Sequence, residues 1–281
     1  MDCKAIDYKN IPVQADIIAG IVRLDVDSNT CFRDLDSYVH SDQGVATLVL
    51  RVVNSALYSR GNKIATIPRA ISVLGFQVVR SLAMLAFSRA LFAQTNSPLF
   101  RTHIWQHSLL TAIAAQTICG SLGDGKQKDE AFIAGLMHDM GKVLLFTHDP
   151  KKYLEVLHVV LNERCPSAEA EQRVFGCDHY QVGMEAVSQW RLPERFVEFM
   201  GTRLGPQSPE GAEDQVRLGL AAANCLIGSF GIGAGGVADI EERRAALKVY
   251  ALPAEICEPW IQEEFLEELM GNETYRLCAN F

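Results

Sequence analysis

Two side chains that are costly to bury stand next to each other in an apolar run. From Ala131 to Phe146 the sequence reads AFIAGLMHDMGKVLLF, with His138 and Asp139 in the middle. An imidazole and a carboxylate placed there must each find a partner. A hydrogen-bonded network would satisfy them, and so would a metal ion. Neighbouring positions on a helix point about 100° apart, so both reach one ion only if it lies near the helix surface between them. Carboxylate and imidazole together suit iron, manganese, zinc or nickel. Two more histidines complete a candidate set. His107 lies in Trp105-Gln106-His107-Ser108 on the preceding long helical segment. His179 opens a later segment, behind Asp178, a good N-cap residue. The candidate ligands are therefore His107, His138, Asp139 and His179, arranged as His, His-Asp, His on three helices, the pattern of metal sites built inside bundles. Any one of these histidines alone is more often a satisfied core residue. His103 and His107 share a helix face by their four-residue spacing alone.

The elements that must position these residues read as helices almost throughout. Residues 12–24 place Val13, Ile17, Ile18, Ile21 and Leu24 on one stripe, with Pro12 at the start. Residues 44–57 are apolar nearly all round, as a buried helix requires. Apolar spacing continues through Ile71, Leu74, Val78 and Val79, with Gly75 inside it, and on through about 80–92. Further helical patterns fall at about 101–120, 129–147, 150–164, 178–191, 194–202, 213–229, 241–250 and 258–270. No stretch keeps the period-two alternation of strands. The fold class is all-α, a multi-helix bundle. A polar break at 94–98 divides an N-terminal helical lobe (1–97) from a second lobe (98–240), and residues 241–281 form a helical extension. Its Trp260, Ile261, Phe265 and Leu266, set among glutamates, are expected to dock on the protein's own body. Gly231–Gly236 has no phosphate-loop lysine after it and reads as a flexible connector.

Composition narrows the function. A net charge of −8 over 281 residues shows no basic face of the kind phosphate backbones select, which disfavours direct DNA or RNA binding. No apolar run reaches the ~18–20 residues that span a bilayer, and the N-terminus lacks a signal-peptide pattern. A cytoplasmic location without membrane attachment is expected. The eight cysteines contain no CxxC pair and are expected to be free thiols.

The ordered motifs W-x-H-S at Trp105–Ser108, G-L-x-H-D-x-G-K at Gly135–Lys142 and H-x-x-x-G at His179–Gly183 resemble the HD superfamily of metal-dependent phosphohydrolases. The N-terminal half narrows the resemblance. Leu50–Tyr58 (LRVVNSALY) and Ile67–Gly75 (IPRAISVLG), with Trp190–Pro193 (WRLP) later, look like the signature of HDOD domains, a degenerate branch of that superfamily found in bacterial signalling and regulatory proteins. The likeness runs over about residues 10–235. It implies an HD-like helical core in the second lobe. Within the signature, Arg51 and Asn54 are polar residues on an apolar helix, expected to fasten it to loop backbone by hydrogen bonds.

The sequence departs from the enzyme pattern at two points. Two-metal HD enzymes carry a His-His pair after the Leu-Pro segment, where this chain has Arg203 and Leu204. HD enzymes also close the primary site with a later aspartate, and the nearest equivalent is Asn224. An amide oxygen is a weaker, neutral ligand. The resemblance therefore implies a stand-alone, non-catalytic regulatory module that holds at most one divalent transition metal, weakly, and binds a signalling protein or small ligand. The alternative is a mononuclear phosphohydrolase acting on a nucleotide or phosphoester, with Asp139 and the histidines on the metal and Lys142 on phosphate.

Overall fold

The computed structural model describes residues 6, 8, 15–24, 28–55, 63–92, 97–122, 127–201, 215–233 and 236–279. Pro12, Val13, Arg203 and Leu204 lie outside them. The first lobe contains α1 (Ala15–Arg23), α2 (Cys31–His40), α3 (Gln43–Val53), α4 (Ile67–Leu74) and α5 (Phe76–Phe92). Asp42 caps α3 by accepting from Gly44 N and Val45 N. The apolar stripe of α1 buries Ile18 and Ile21. The Arg80 guanidinium of α5 donates to Ile21 O and Val22 O, carbonyls at the C-terminal end of α1. The continuous pattern read through Gly75 is broken there. Gly75 closes α4 with φ 88°, a conformation that glycine adopts without a steric penalty, and a new helix starts at Phe76. Helix α2 was not legible as a separate element. It buries Cys31, Leu35 and Val39 between polar positions.

A short turn, α6 (Pro98–Phe100), leads through a π-helical segment (Arg101–Gln106) into α7 (His107–Leu122). There follow α8 (Lys128–Met137), α9 (Met140–His148), α10 (Pro150–Glu163), α11 (Ser167–Phe175), α12 (His179–Gln189), α13 (Arg195–Met200) and α14 (Gln215–Ser229). Helix α7 is buried on nearly every face and packs between α8 and α14, while α9 packs on α12. The chain ends with α15 (Ile240–Lys248), α16 (Ala254–Cys257), α17 (Glu263–Gly271) and α18 (Glu273–Cys278). Trp260, Ile261 and Phe265 are buried, Leu266 packs at the edge of the core, and Trp105 Nε1 donates to Cys278 O. The extension therefore lies against the body.

The architecture is all-α. Among the described residues the β-type pairing is an isolated bridge between Phe230 and Val237. No single helix there is long and apolar enough to cross a membrane. One hydrophobic cluster takes in Ile18 and Leu35 from the first lobe, Trp105 and Leu145 from the second, and Trp260 and Phe265 from the extension. Among the described residues, Cys31, Cys119, Cys165, Cys225, Cys257 and Cys278 carry thiols outside any disulfide. Cys177 is disulfide-bonded, contrary to the free-thiol reading. Linear spacing does not reveal which thiols come within the roughly 7 Å between Cα atoms that a disulfide demands.

Candidate metal centre

His138 and Asp139 do not sit inside one helix. They form the turn between α8 and α9, and Asp139 has φ −99° and ψ 14°. This corrects the reading of 129–147 as one element. The break matters because it frees the two side chains from the 100° offset of a continuous helix. The Asp139 carboxylate caps no backbone N–H and turns into the pocket instead. Gly141, in the first turn of α9, makes room for the next element. A Cβ there would lie 2.0 Å from His179 O, so only glycine lets α9 approach the start of α12. Helix α12 begins at His179 because Asp178 caps it, forming a capping box with Gln181. His107 starts α7 directly after the π-helical segment, a distortion frequent at functional sites.

The four candidate residues line one cavity of about 440 Å³, together with Lys142, Ser167, Tyr180 and Asn224. Ligand atoms of His107, His138 and Asp139 lie within 4.8 Å of one another. Asp139 Oδ2 is 3.4 Å from His138 Nε2 and 3.7 Å from His107 Nε2. His179 stands slightly apart, its Nε2 4.0 Å from Asp139 Oδ1. All four are buried, each 3 % exposed.

The hydrogen bonds behind the imidazoles share one logic. His138 Nδ1 is 2.8 Å from Gly135 O, His107 Nδ1 is 2.7 Å from Ile232 O, and His179 Nδ1 is 2.6 Å from Glu171 Oε2. Each acceptor takes the Nδ1 proton, so each Nε2 lone pair faces inward. Metal-binding histidines are held this way. His138 Nε2 is buried with no hydrogen-bond partner, an expensive state unless a cation is near. The Asn224 amide lies against the same pocket, its Oδ1 2.9 Å from His107 Nε2. The residues present therefore fit a divalent transition metal. Asn224, the nearest equivalent of the closing aspartate that the HD resemblance implies, lines this pocket.

Lys142 is the counter-charge within the protein itself. Its Nζ donates to Asp139 Oδ2 at 2.8 Å, one turn along α9. Burial acts to raise the Asp139 pKa, but His138, Lys142, His107 and His179 together hold it below the ordinary carboxylate range. Burial pushes His107 down to about 4 and lowers His138 as well, against the pull of Asp139. Both rings are thus neutral at pH 7, as metal ligands must be.

Two parts of this site escaped the sequence reading. The glycine-rich segment is not a loose connector where it is described. Ile232 O holds His107, Gly233 N donates to His103 Nδ1, and Gly233 has φ 118°. A Cβ on Gly233 would lie 2.3 Å from His107 Nδ1, so a bare backbone is required for the segment to wall the pocket. The second is α11, which carries Glu171. Its signals were present: Pro166 before it, Gly176 after it in the left-handed conformation, and Ser167, Ala170, Glu171 and Phe175 on one face. Arg203 and Leu204, read as replacing a second pair of ligands, lie outside the described residues.

The HDOD domain pattern matches residues 11–203, most of the chain. This chain belongs to the HDOD family. Among solved structures it is similar to an HDOD domain protein of unknown function from Geobacter sulfurreducens, with a TM-score of 0.76, 22% identity, and coverage of 96% of this chain and 95% of that one. A candidate signal transduction protein from Marinobacter aquaeolei VT8 matches with a TM-score of 0.69 and 20% identity, over 94% of this chain and 58% of that one. A candidate phosphohydrolase from Shewanella amazonensis SB2B matches with a TM-score of 0.62 and 19% identity, over 97% and 94%. At these identities the likeness establishes the shared fold. An uncharacterized protein of Treponema pallidum (strain Nichols) is 20% identical over 58% of this chain, which spans 32% of that protein's length.

Proposed function

We propose that this HDOD protein is a regulatory module that holds one divalent metal and does not turn over a phosphoester. In this reading His107, His138, Asp139 and His179 bind iron, manganese, zinc or nickel, and the occupied pocket sets how the surrounding helices pack for a signalling protein or small ligand. The observation that carries it is the neutral Asn224 amide, 2.9 Å from His107 Nε2. Metal hydrolases hold an activated water and spread the developing charge of the transition state over metal and cations. A neutral closing group weakens the grip on the metal and on that water together. The Lys142–Asp139 ion pair supports the same reading, because the only carboxylate among the four candidate ligands is already engaged by a buried ammonium.

A second reading has one observation in its favour. Lys142 lines the cavity beside Ser167 at the start of α11, a placement suited to a phosphate group. A mononuclear phosphohydrolase would use the bound metal as Lewis acid and source of hydroxide, and Lys142 to hold the phosphate.

Metal analysis of the purified protein, with a phosphoester screen on wild type and Asp139→Ala, tests both readings. The expected result is bound metal in the wild type, loss of that metal in the variant, and no metal-dependent turnover in either. Metal-dependent turnover that disappears in Asp139→Ala would establish the enzyme. Equal metal content in both proteins would remove the pocket as the metal site.

A further inference from the structure

The three imidazoles of the pocket are backed by unequal acceptors. His138 and His107 lean on the neutral carbonyls of Gly135 and Ile232. His179 leans on a carboxylate. Glu171 is completely buried, at 0 % exposure. Its Oε2 accepts from both the backbone N–H of His179 at 2.7 Å and the ring Nδ1–H at 2.6 Å. Its Oε1 accepts from the Tyr153 hydroxyl at 2.9 Å. Tyr153 is itself fully buried, and burial first, then the Glu171 charge, keeps its phenol protonated as a donor. The carboxylate is thus held in place by bonds at both oxygens.

Charge gives this arrangement its meaning. Asp139 and Glu171 bring two buried carboxylates to the site, and Lys142 brings one ammonium. A buried excess of negative charge is costly unless a cation is present. Charge-assisted hydrogen bonds are roughly twice as strong as neutral ones. A carboxylate behind a ligating histidine both fixes its tautomer and increases its donor strength.

Building on the metal-binding reading above, we propose that Glu171 is a positioning residue that supplies, one shell out, the negative charge the Asn224 position does not. It acts through His179, turning the Nε2 lone pair to the cavity and strengthening it as a donor to a divalent cation. His179, the outlying member of the set by distance, is then its strongest imidazole donor.

Zinc titration of the full chain, wild type against Glu171→Gln, reads this directly. The amide keeps the size of the side chain and removes its charge. The expected result is a zinc affinity about 10- to 100-fold weaker. Tyr153→Phe is the companion variant. It removes a hydrogen bond to the same carboxylate but leaves the charge, so stability falls while zinc affinity stays close to wild type. Unchanged zinc affinity in Glu171→Gln, or an equal loss in Tyr153→Phe, would overturn the charge role. The His179 Nδ1–H proton resonance of the metal-free protein is the second readout. It should lie far downfield in the wild type and move upfield in Glu171→Gln. If the wild type binds no zinc, the metal reading fails. Glu171 as the residue that orients His179 then stands on a resonance that moves, and falls on one that does not.

Discussion

Two regions of this protein set polar side chains among apolar ones, and they treat them in opposite ways. In the first lobe, Asn54 ends α3. Its Nδ2 donates to Leu50 O and Ile64 O, and its Oδ1 accepts from Ile64 N, all at 2.7–2.8 Å. That set is closed: donor and acceptor are both used, and the effect is to staple a helix end to the strand of chain ahead of α4. Arg51, its neighbour in the motif, is exposed. In the second lobe, His107, His138 and His179 are tied down on their outer nitrogens, and the inner nitrogens converge on Asp139, with Asn224 also against that of His107. A buried polar group whose bonds are complete is there for structure. One that is complete on its outer side and open on its inner side, with like neighbours, is prepared for something that is not protein.

The largest test of that contrast is Asp139→Ala. It leaves the Lys142 ammonium buried without its partner, so unfolding stability should fall by about 3–5 kcal/mol, measured by chemical denaturation in chelator. An unchanged midpoint would mean that the pocket is not a structural unit. Asn54→Ala should cost less, about 1–3 kcal/mol, because the Ile64 N–H and O lose their partner. Metal content should not change, and a variant that loses its metal would erase the distinction between staple and site.

Acid sharpens the comparison, since the staple contains nothing that titrates. Burial holds His107 down to about 4 in the folded protein, against the ordinary imidazole value of about 6.5. The unfolded chain therefore takes up that proton first as the pH falls. Stability is complete above about 6.5 and is lost between there and about 4. Lowering the pH from 7.5 to 5.5 should cost on the order of 1 kcal/mol from His107 alone, with His138 adding in the same direction. Asp139, held below its ordinary range, adds a further loss as the pH drops below about 4. A flat melting temperature from pH 7.5 to 5.5 would contradict the buried neutral rings. The last variant, Asn224→Asp, is read as a gain in binding. Its added carboxylate, in the same pocket as Asp139, should lower metal-free stability and tighten zinc binding about tenfold, or roughly 1.4 kcal/mol, by titration calorimetry. No gain in affinity would mean that Asn224 does not close the pocket.

Much of this was legible in one dimension. The all-helical fold follows from apolar spacing at 3.6 residues, a local property that each segment carries by itself. The ordered motifs at His107, His138-Asp139 and His179 marked the pocket because the residue types were costly to bury wherever they ended up. What tertiary structure decided are the features that depend on distant chain. The break between α8 and α9 falls at His138 and Asp139, weak helix formers inside a long apolar run, and packing rather than local propensity fixes it as an end. His107 takes its outer acceptor from Ile232, 125 residues away, and its inner neighbour from Asn224, 117 residues away. Glu171 resembles any other glutamate of a polar helix until α12 presents His179 to it. Helical period is written in neighbours along the chain, whereas the hydrogen-bond partner of a buried group is chosen by whichever element packs against it.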